Sequence, residues 1–480
     1  KAEHGTGRNM APFVKQEWGE EAFAIMKAVK QLFDPKGLFN PGVIFNDDPQ
    51  CHIKHFKPLS PLAIGEGSEV TRQIDRCIEC GFCEVNCLSC GFTLSSRQRI
   101  VIQREISRLK KSGENPQLLE TLSKLYRYPG NQTCAGDGLC ATSCPMGINT
   151  GDLTHLLRQA ELPSNSTGYK AGKFAANHFA GIKNALRPVL SLANTTHSLL
   201  GTSRMTSITR KMHNVWGLPQ WTPAMPMSYK IHKKNNKAPD AKNKVVYFPS
   251  CINQTMGLAK NSPVEQPLVN KMLSLLQKAG YEVIFPPKME KLCCGTIWES
   301  KGMLDIADSK SAELEAALWE ASEQGRYPVL CDQSPCLHRM RATIQKMKLY
   351  EPAEFIYTFL RDKLEFTPTD RPVAVHITCS MRKMGLSNTL ISLAGLCSTQ
   401  VLVPEEVGCC GFAGDKGFTR PELNTYALRK LRPQLEKAGI SIGYSNSRTC
   451  EIGLATNTGI PYVSIAYLVD QCTRPRETKE

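Results

Sequence analysis

No stretch of this 480-residue chain stays apolar and uncharged for the roughly 20 residues a membrane-spanning helix needs. Thr389 to Val403 comes closest, but Ser, Thr and Gln interrupt it, and it reads as a buried helix followed by a strand. The chain also lacks an initiator Met and the charged-then-apolar opening of a secretory leader, so the expectation is that sequence upstream of Lys1 is missing. No nucleic-acid-binding motif occurs, and nucleic acid is not expected as a partner. What is abundant is cysteine. The twenty cysteines are too patterned for a secreted disulfide framework, because most fall in C-x-x-C, CC and C-x3-C groups that hold thiolates around a metal. An intracellular metalloprotein of two to four domains of roughly 100–200 residues is expected.

Acidic residues are nearly absent from one stretch. Residues 165–244 carry thirteen Lys or Arg against the single acid Asp240, so most of the net charge of +15 lies there. Phe174, Phe179, Leu199, Leu200, Trp216, Trp221, Met225 and Met227 interleave with those cations. Such a mixture suits an anionic membrane surface at roughly 1 kcal/mol per cation, and a solvated connector is the plainer alternative.

Five segments follow from the patterning. Residues 1–46 hold a helix over 18–33, with Phe23, Met26, Val29 and Phe33 at helical spacing and Asp34-Pro35-Lys36-Gly37 as its stop. Residues 66–162 carry eight cysteines among short helices at Ser95–Lys111, Pro116–Tyr126 and Gly151–Ala160, and the basic linker 163–243 follows. Residues 244–365 and 371–472 are an internal duplication. Each copy opens with a strand ending on a cysteine, Val245–Cys251 and Val373–Cys379. Each continues through a helix to a second strand, Tyr281–Phe285 and Thr399–Val403, and then to Cys-Cys-Gly. A third strand and last cysteine close each copy, Val329 to Cys336 answering Ile440 to Cys450. The fold class expected is therefore α/β and α multidomain, a mainly helical two-cluster ferredoxin module followed by two duplicated α/β Cys-Cys-Gly domains with parallel sheets.

The cysteine spacings carry the chemistry. Cys77, Cys80, Cys83 and Cys87 stand in C-x2-C-x2-C-x3-C order, which wraps three thiolates around one [4Fe–4S] cube and sends the fourth to a neighbouring cluster. A zinc site is the bland alternative, yet zinc ribbons use separated C-x2-C pairs. Cys134, Cys140 and Cys144 repeat the spacing with Asp137 in place of the second cysteine. By the crossover rule Cys144 joins Cys77, Cys80 and Cys83, while Cys87 joins Cys134 and Cys140 and leaves one iron without a thiolate. Cys90 is the nearest spare thiol and the expected eighth ligand. Asp137 ligation, a three-iron cluster, and Asp137 as a plain turn residue stay open. Each duplicated half supplies four matched cysteines: Cys251, Cys293, Cys294 and Cys336, then Cys379, Cys409, Cys410 and Cys450. Sulfur-only sites select iron–sulfur clusters or zinc, and one iron–sulfur cluster per half is expected. Cys51, Cys397 and Cys472 have no partner by spacing and read as core or surface residues.

Four features coincide in order: Glu3-His4-Gly5-Thr6-Gly7-Arg8, then Asp34-Pro35-Lys36-Gly37 with Asn40-Pro41-Gly42, the ferredoxin-type cysteines, and two Cys-Cys-Gly repeats. In that order they resemble the C-terminal half of bacterial respiratory FAD- and iron–sulfur-containing D-lactate dehydrogenases. The resemblance covers nearly the whole chain. It implies that residues 1–46 are the tail of an FAD-linked oxidase domain, with Glu3 ligating an active-site divalent metal and His4 facing substrate as the catalytic histidine. No FAD-binding residue is identified within the chain, and the flavin segment is expected upstream. The usual proline after the first motif is Leu88 here, and the C-x2-C that sometimes closes such repeats appears as Gln333 to Cys336 and Ser447 to Cys450, which favours four-thiolate sites.

The expected activity of the intact protein is oxidation of a D-2-hydroxy acid, D-lactate foremost, by hydride transfer to FAD. Electrons then pass through the clusters to quinone or a cytochrome, on the cytoplasmic face of the inner membrane. The rival is a non-catalytic iron–sulfur subunit of a glycolate or glycerol-3-phosphate type oxidoreductase complex. A zinc-structured scaffold without redox chemistry is the third reading.

Overall fold

Most cysteine groups lie close to an end of a short strand or helix, so the frame that places them can be followed along the chain. The computed structural model describes residues 7–54, 61–64, 67–231 and 243–476. The chain divides into two compact units, Lys1–Ser60 and Pro61–Glu480.

In the first unit the expected helix is split. Gly19, at φ 80°, separates Val14–Trp18 from α1 (Glu20–Phe33). Asp34 ends α1 with its own carboxylate, which accepts from Leu38 N at 2.8 Å and Phe39 N at 2.9 Å and pairs with Lys30 at 2.5 Å. Within this unit no residue of α1 is buried, and Leu32 and Phe33 are more than three-quarters exposed.

In the second unit a short helix, Glu69–Asp75, is followed by α2 (Ser96–Ser112), α3 (Pro116–Tyr126) and α4 (Thr150–Glu161) around a small core of Leu62, Ile74, Ile100, Ile148 and Leu153. A capping box fixes the start of α2, where Ser95 accepts from Gln98 N and Gln98 reaches back to Ser95 N. The basic stretch is helical over its first part: α5 (Thr167–Asn177) leads into α6 (Phe179–Trp216), which kinks at Gly201 (φ 75°, ψ 169°).

The duplication is a pair of parallel sheets with one topology. In the first half are β1 (Asn243–Phe248), α7 (Leu268–Lys278), β2 (Tyr281–Ile284), α8 (Leu304–Ala321), β3 (Val329–Cys331), α9 (Ser334–Thr343) and β4 (Leu349–Tyr350). The strands lie in the order β2-β1-β3-β4, with Val245 opposite Val283 and Phe248 opposite Cys331. In the second half are β5 (Val373–Val375), α10 (Ser387–Cys397), β6 (Val401–Leu402), β7 (Gly443–Tyr444), α11 (Arg448–Thr458), β8 (Tyr462–Val463) and α12 (Ile465–Gln471). Their order, β6-β5-β7-β8, is the same topology. Three strands are present in each half as expected, but the first of each stops at Phe248 or Val375, short of the expected Cys251 or Cys379, and a fourth strand is added at the sheet's edge.

The halves share a core. One buried cluster draws Val245, Tyr247 and the inner stripe of α7 (Leu268, Val269, Met272, Leu275, Leu276) from the first half, and Val373, Val375, Leu390, Leu393, Ile465 and Leu468 from the second. Each such side chain contributes about 1.5–3 kcal/mol on burial. An antiparallel pairing of Leu364–Phe366 with Thr473–Pro475 ties the end of the second half to the segment that joins the two.

Candidate metal centres

The two ferredoxin-type motifs fold alike. Gly81 (φ 88°) and Gly138 (φ 73°), both left-handed, open single 3-10 turns at Phe82–Asn86 and Leu139–Thr142 that pack on each other. Two cavities lie beside these turns. The first, small and partly open to solvent, is lined by Cys77, Cys80, Cys83 and Cys144. The second, of similar size, is lined by Cys87, Cys134 and Cys140. The last cysteine of each motif thus faces the cavity of the other. Cys90 lines neither cavity, whereas Asp137 lines the second. The Asp137 carboxylate accepts from Leu139 N at 2.9 Å, as a turn residue does, and also touches Cys409.

A zinc ion holds its thiolates about 2.3 Å away, which crowds four sulfurs around one point. Here the thiols of each motif surround a void instead. Among the described residues no three His, Cys, Asp or Glu side chains converge on a single ion position. Soft donors spaced around a cavity fit a metal–sulfide cluster, in which Cys77, Cys80, Cys83 and Cys144 would hold one group and Cys87, Cys134 and Cys140 another; such a group supplies one-electron storage. Burial pushes the Cys140 thiol up to about 12, and burial likewise raises Cys77 and Cys83, so metal must displace protons there.

Helix α2 reaches both sites with arginines that periodicity does not single out. Arg99, 1% exposed, donates to Gly130 O at 2.7 Å, Ser89 Oγ at 2.9 Å and Cys87 Sγ at 3.6 Å. Arg104, also buried, donates to Cys77 O and Asp75 O at 2.9 Å and pairs with Glu79 at 2.9 Å. Each guanidinium fastens one motif's loop through backbone carbonyls and supplies positive charge beside thiolates.

In each duplicated half the four expected thiols come together in the same chain of contacts. Cys251 touches Cys293, Cys293 touches Cys294, and Cys294 touches Cys336. Likewise Cys379 touches Cys409, Cys409 touches Cys410, and Cys410 Sγ lies 3.1 Å from Cys450 Sγ. Contacts from Cys293 and Cys336 hold Cys294 well below the usual thiol range, while contact with Cys409 and then burial raise Cys379. Glycine is required after each pair for a spatial reason. Gly295 (φ 90°) and Gly411 (φ 75°) are left-handed, and a Cβ would meet Ala307 O at 2.4 Å or Leu423 O at 2.9 Å. The departures Gln333 and Ser447 are buried partners of each other, Gln333 Nε2 donating to Ser447 Oγ at 3.1 Å across the two halves. Of the cysteines without expected partners, Cys397 and Cys472 are buried against each other, and Cys51 is half-buried in the first unit. Glu3 and His4 lie outside the described residues.

Comparison with known proteins gives the class first. Residues 1–44 match the C-terminal domain of FAD-linked oxidases, residues 73–148 the 4Fe-4S dicluster domain, and residues 245–341 and 373–455 the cysteine-rich domain. The chain thus joins, in order, a segment similar to the end of an FAD-linked oxidase, a region similar to a 4Fe-4S dicluster domain and two copies similar to a cysteine-rich domain. Among individual relatives, it is 24% identical over 388 residues to the probable glycolate oxidase iron-sulfur subunit of Bacillus subtilis, covering 73% of this chain and 82% of that one. It is 22% identical over 332 residues to one of the subunits of the anaerobic glycerol-3-phosphate dehydrogenase of Escherichia coli, covering 66% and 80%. A 50-residue stretch, 10% of this chain and 9% of the relative, is 40% identical to the mitochondrial D-lactate dehydrogenase [cytochrome] of Kluyveromyces lactis. The extended similarity is thus to those two subunits, and the likeness to a D-lactate enzyme is confined to the short stretch. No described helix is long and apolar enough to cross a membrane.

Proposed function

We propose that this chain carries single electrons away from a flavin that oxidises the hydroxyl of a small 2-hydroxy acid or of a polyol phosphate, in the manner of the iron–sulfur subunit of a glycolate or glycerol-3-phosphate type enzyme. The observation that carries the reading is the segregation of the ferredoxin cysteines into two cavities, with Cys77, Cys80, Cys83 and Cys144 around one and Cys87, Cys134 and Cys140 around the other. The extended likeness to an iron-sulfur subunit favours this over D-lactate oxidation by the chain itself. The match of residues 1–44 supports covalent or close association with an FAD-linked oxidase, in which Glu3 would ligate a divalent metal and His4 would face the substrate hydroxyl.

The duplicated thiol sites would receive the electrons next and pass them to quinone or a cytochrome. Helix α6 would hold the assembly to the anionic inner face of the membrane, since Leu192, Leu199, Val215 and Trp216 stand at least two-thirds exposed among Arg204, Arg210 and Lys211.

Iron, acid-labile sulfide and zinc per chain, measured after oxygen-free purification with electron paramagnetic resonance on the reduced protein, test the reading. About sixteen irons are expected, four per cluster; about eight with two zincs would confine electron transfer to residues 77–144. Absence of iron under conditions that load a control ferredoxin would refute it.

A further inference from the structure

The second ferredoxin cavity has three thiols where the first has four. Two residues compete for the vacant role, and the fold separates them. Cys90 lies outside the cavity lining, and its backbone carbonyl is held by Tyr426 Oη at 3.0 Å. Asp137 lines the cavity. The internal symmetry of the module says why. Asp137 precedes Gly138 and the turn Leu139–Thr142 as Cys80 precedes Gly81 and the turn Phe82–Asn86, and both glycines are left-handed. Cys80 lines the first cavity, so one backbone geometry, used twice, places a cysteine at one cavity and an aspartate at the other.

The carboxylate is held from two sides. Leu139 N donates to it at 2.9 Å, and Cys409 of the second Cys-Cys-Gly pair touches it. The surrounding loops are braced to that same half. Lys416 donates to Gln132 O at 2.6 Å, Arg420 donates to Gln132 Oε1 at 2.7 Å, and a Cβ on Gly408 would lie 3.4 Å from Leu139. Iron–sulfur clusters take thiolates by preference, but a carboxylate oxygen is an anionic donor that iron also accepts. We propose that Asp137 is the fourth protein ligand of the iron–sulfur group in the second ferredoxin cavity, completing the set Cys87, Cys134 and Cys140. One carboxylate then spans the gap between that group and the thiols of the second half, placing those thiols rather than Cys90 next to it. The inference rests on the iron–sulfur reading above.

The test uses the full chain loaded with iron and sulfide under argon, in four forms: parent, Asp137→Asn, Asp137→Cys and Cys90→Ser. Asparagine can still accept from Leu139 N, so the turn survives while the anionic donor is lost. The readouts are iron per chain and the paramagnetic spectra of oxidised and reduced protein. Asp137→Asn is expected to lose about one iron per chain and show the oxidised three-iron signal. Asp137→Cys is expected to retain the parent's iron with a changed reduced spectrum, because a thiolate replaces an oxygen donor. Cys90→Ser is expected to match the parent in both. A full iron complement and unchanged spectra in Asp137→Asn would overturn the proposal, as would a loss of iron confined to Cys90→Ser or a three-iron signal already present in the parent under excess iron. If no form takes up iron, it is the iron–sulfur function that fails.

Discussion

His376 shows how one side chain can set the acid limit of the fold. It is buried at the end of β5, with Nδ1 3.1 Å from Ser445 Oγ and Nε2 without a hydrogen-bond partner. Burial, with a smaller push from Arg382, takes its pKa from 6.5 down to about 3. The folded state therefore holds the neutral ring, while the unfolded chain takes up a proton below its ordinary value. The resulting stability is complete above 6.5 and is lost progressively as pH falls towards 3. Each unit of separation corresponds to about 1.4 kcal/mol, so the parent should lose about 2 kcal/mol through this group on going from neutral pH to about 5. His376→Asn should be less stable at neutral pH but should lack that increment of acid sensitivity. Denaturant midpoints for both proteins at the two pH values check it, and parallel pH profiles would contradict it. Single residues of this kind were not legible in the sequence. Nothing in Val373-Ala-Val-His-Ile-Thr marks the histidine as buried rather than exposed on the strand's other face. Arg99 and Arg104 were hidden for the opposite reason, since charges on a polar helix normally face solvent, whereas these two are buried among loop carbonyls.

At the scale of elements, legibility followed length and punctuation. The helices near Ser95 and Pro116 and the first strand of each half were read from the sequence, and each lies within a few residues of the expected bounds. The fourth strands, Leu349–Tyr350 and Tyr462–Val463, are two residues long and carry no period to detect. The basic stretch was visible as charge but not as helix. Its described cations also divide by role: Lys183 is buried on Gln254 at 2.7 Å, and Arg187 holds Tyr229 O at 2.8 Å and Gln254 O at 3.1 Å, so neither is available to a surface. Arg204, Arg210 and Lys211 remain exposed beside Leu199, Ile208 and Val215 on α6. If this helix meets an anionic surface, replacing those three cations by Gln should remove about 3 kcal/mol, more than a hundredfold in partition onto phosphatidylserine vesicles. Cosedimentation at low and high salt measures it. Equal partition of parent and variant, or binding indifferent to salt, would leave α6 as a solvated connector.

The whole second unit depends on a joint that the duplicated sequence did not announce. Matching strands and cysteines made two halves readable, yet each half could equally have enclosed a core of its own. The structure merges part of their cores and lays a polar seam along the junction. Arg448, fully buried, pairs with Glu451 at 2.7 Å and donates to Asn253 Oδ1 of the first half at 3.2 Å, while its backbone N–H donates to Gln333 Oε1 at 3.0 Å. Ser334 N reaches Asn446 O at 3.0 Å, and Asn446 Nδ2 reaches Glu351 Oε1 at 2.7 Å. The seam runs beside Cys336 and Cys450, each of which sits in the helix that begins there, α9 or α11. Disturbing it should therefore unfold both halves together and disturb both thiol sites. Removing one partner of a buried ion pair costs about 3–5 kcal/mol, because the other charge stays buried without compensation. Glu451→Ala should lose that much and still unfold in one transition, followed by tryptophan fluorescence, where Trp298 and Trp319 report on the first half, and by far-ultraviolet circular dichroism. Arg448→Met combined with Glu451→Leu removes both charges, and the double variant should recover most of the loss. Two separated transitions in Glu451→Ala would show instead that the halves fold independently and that the seam only docks them.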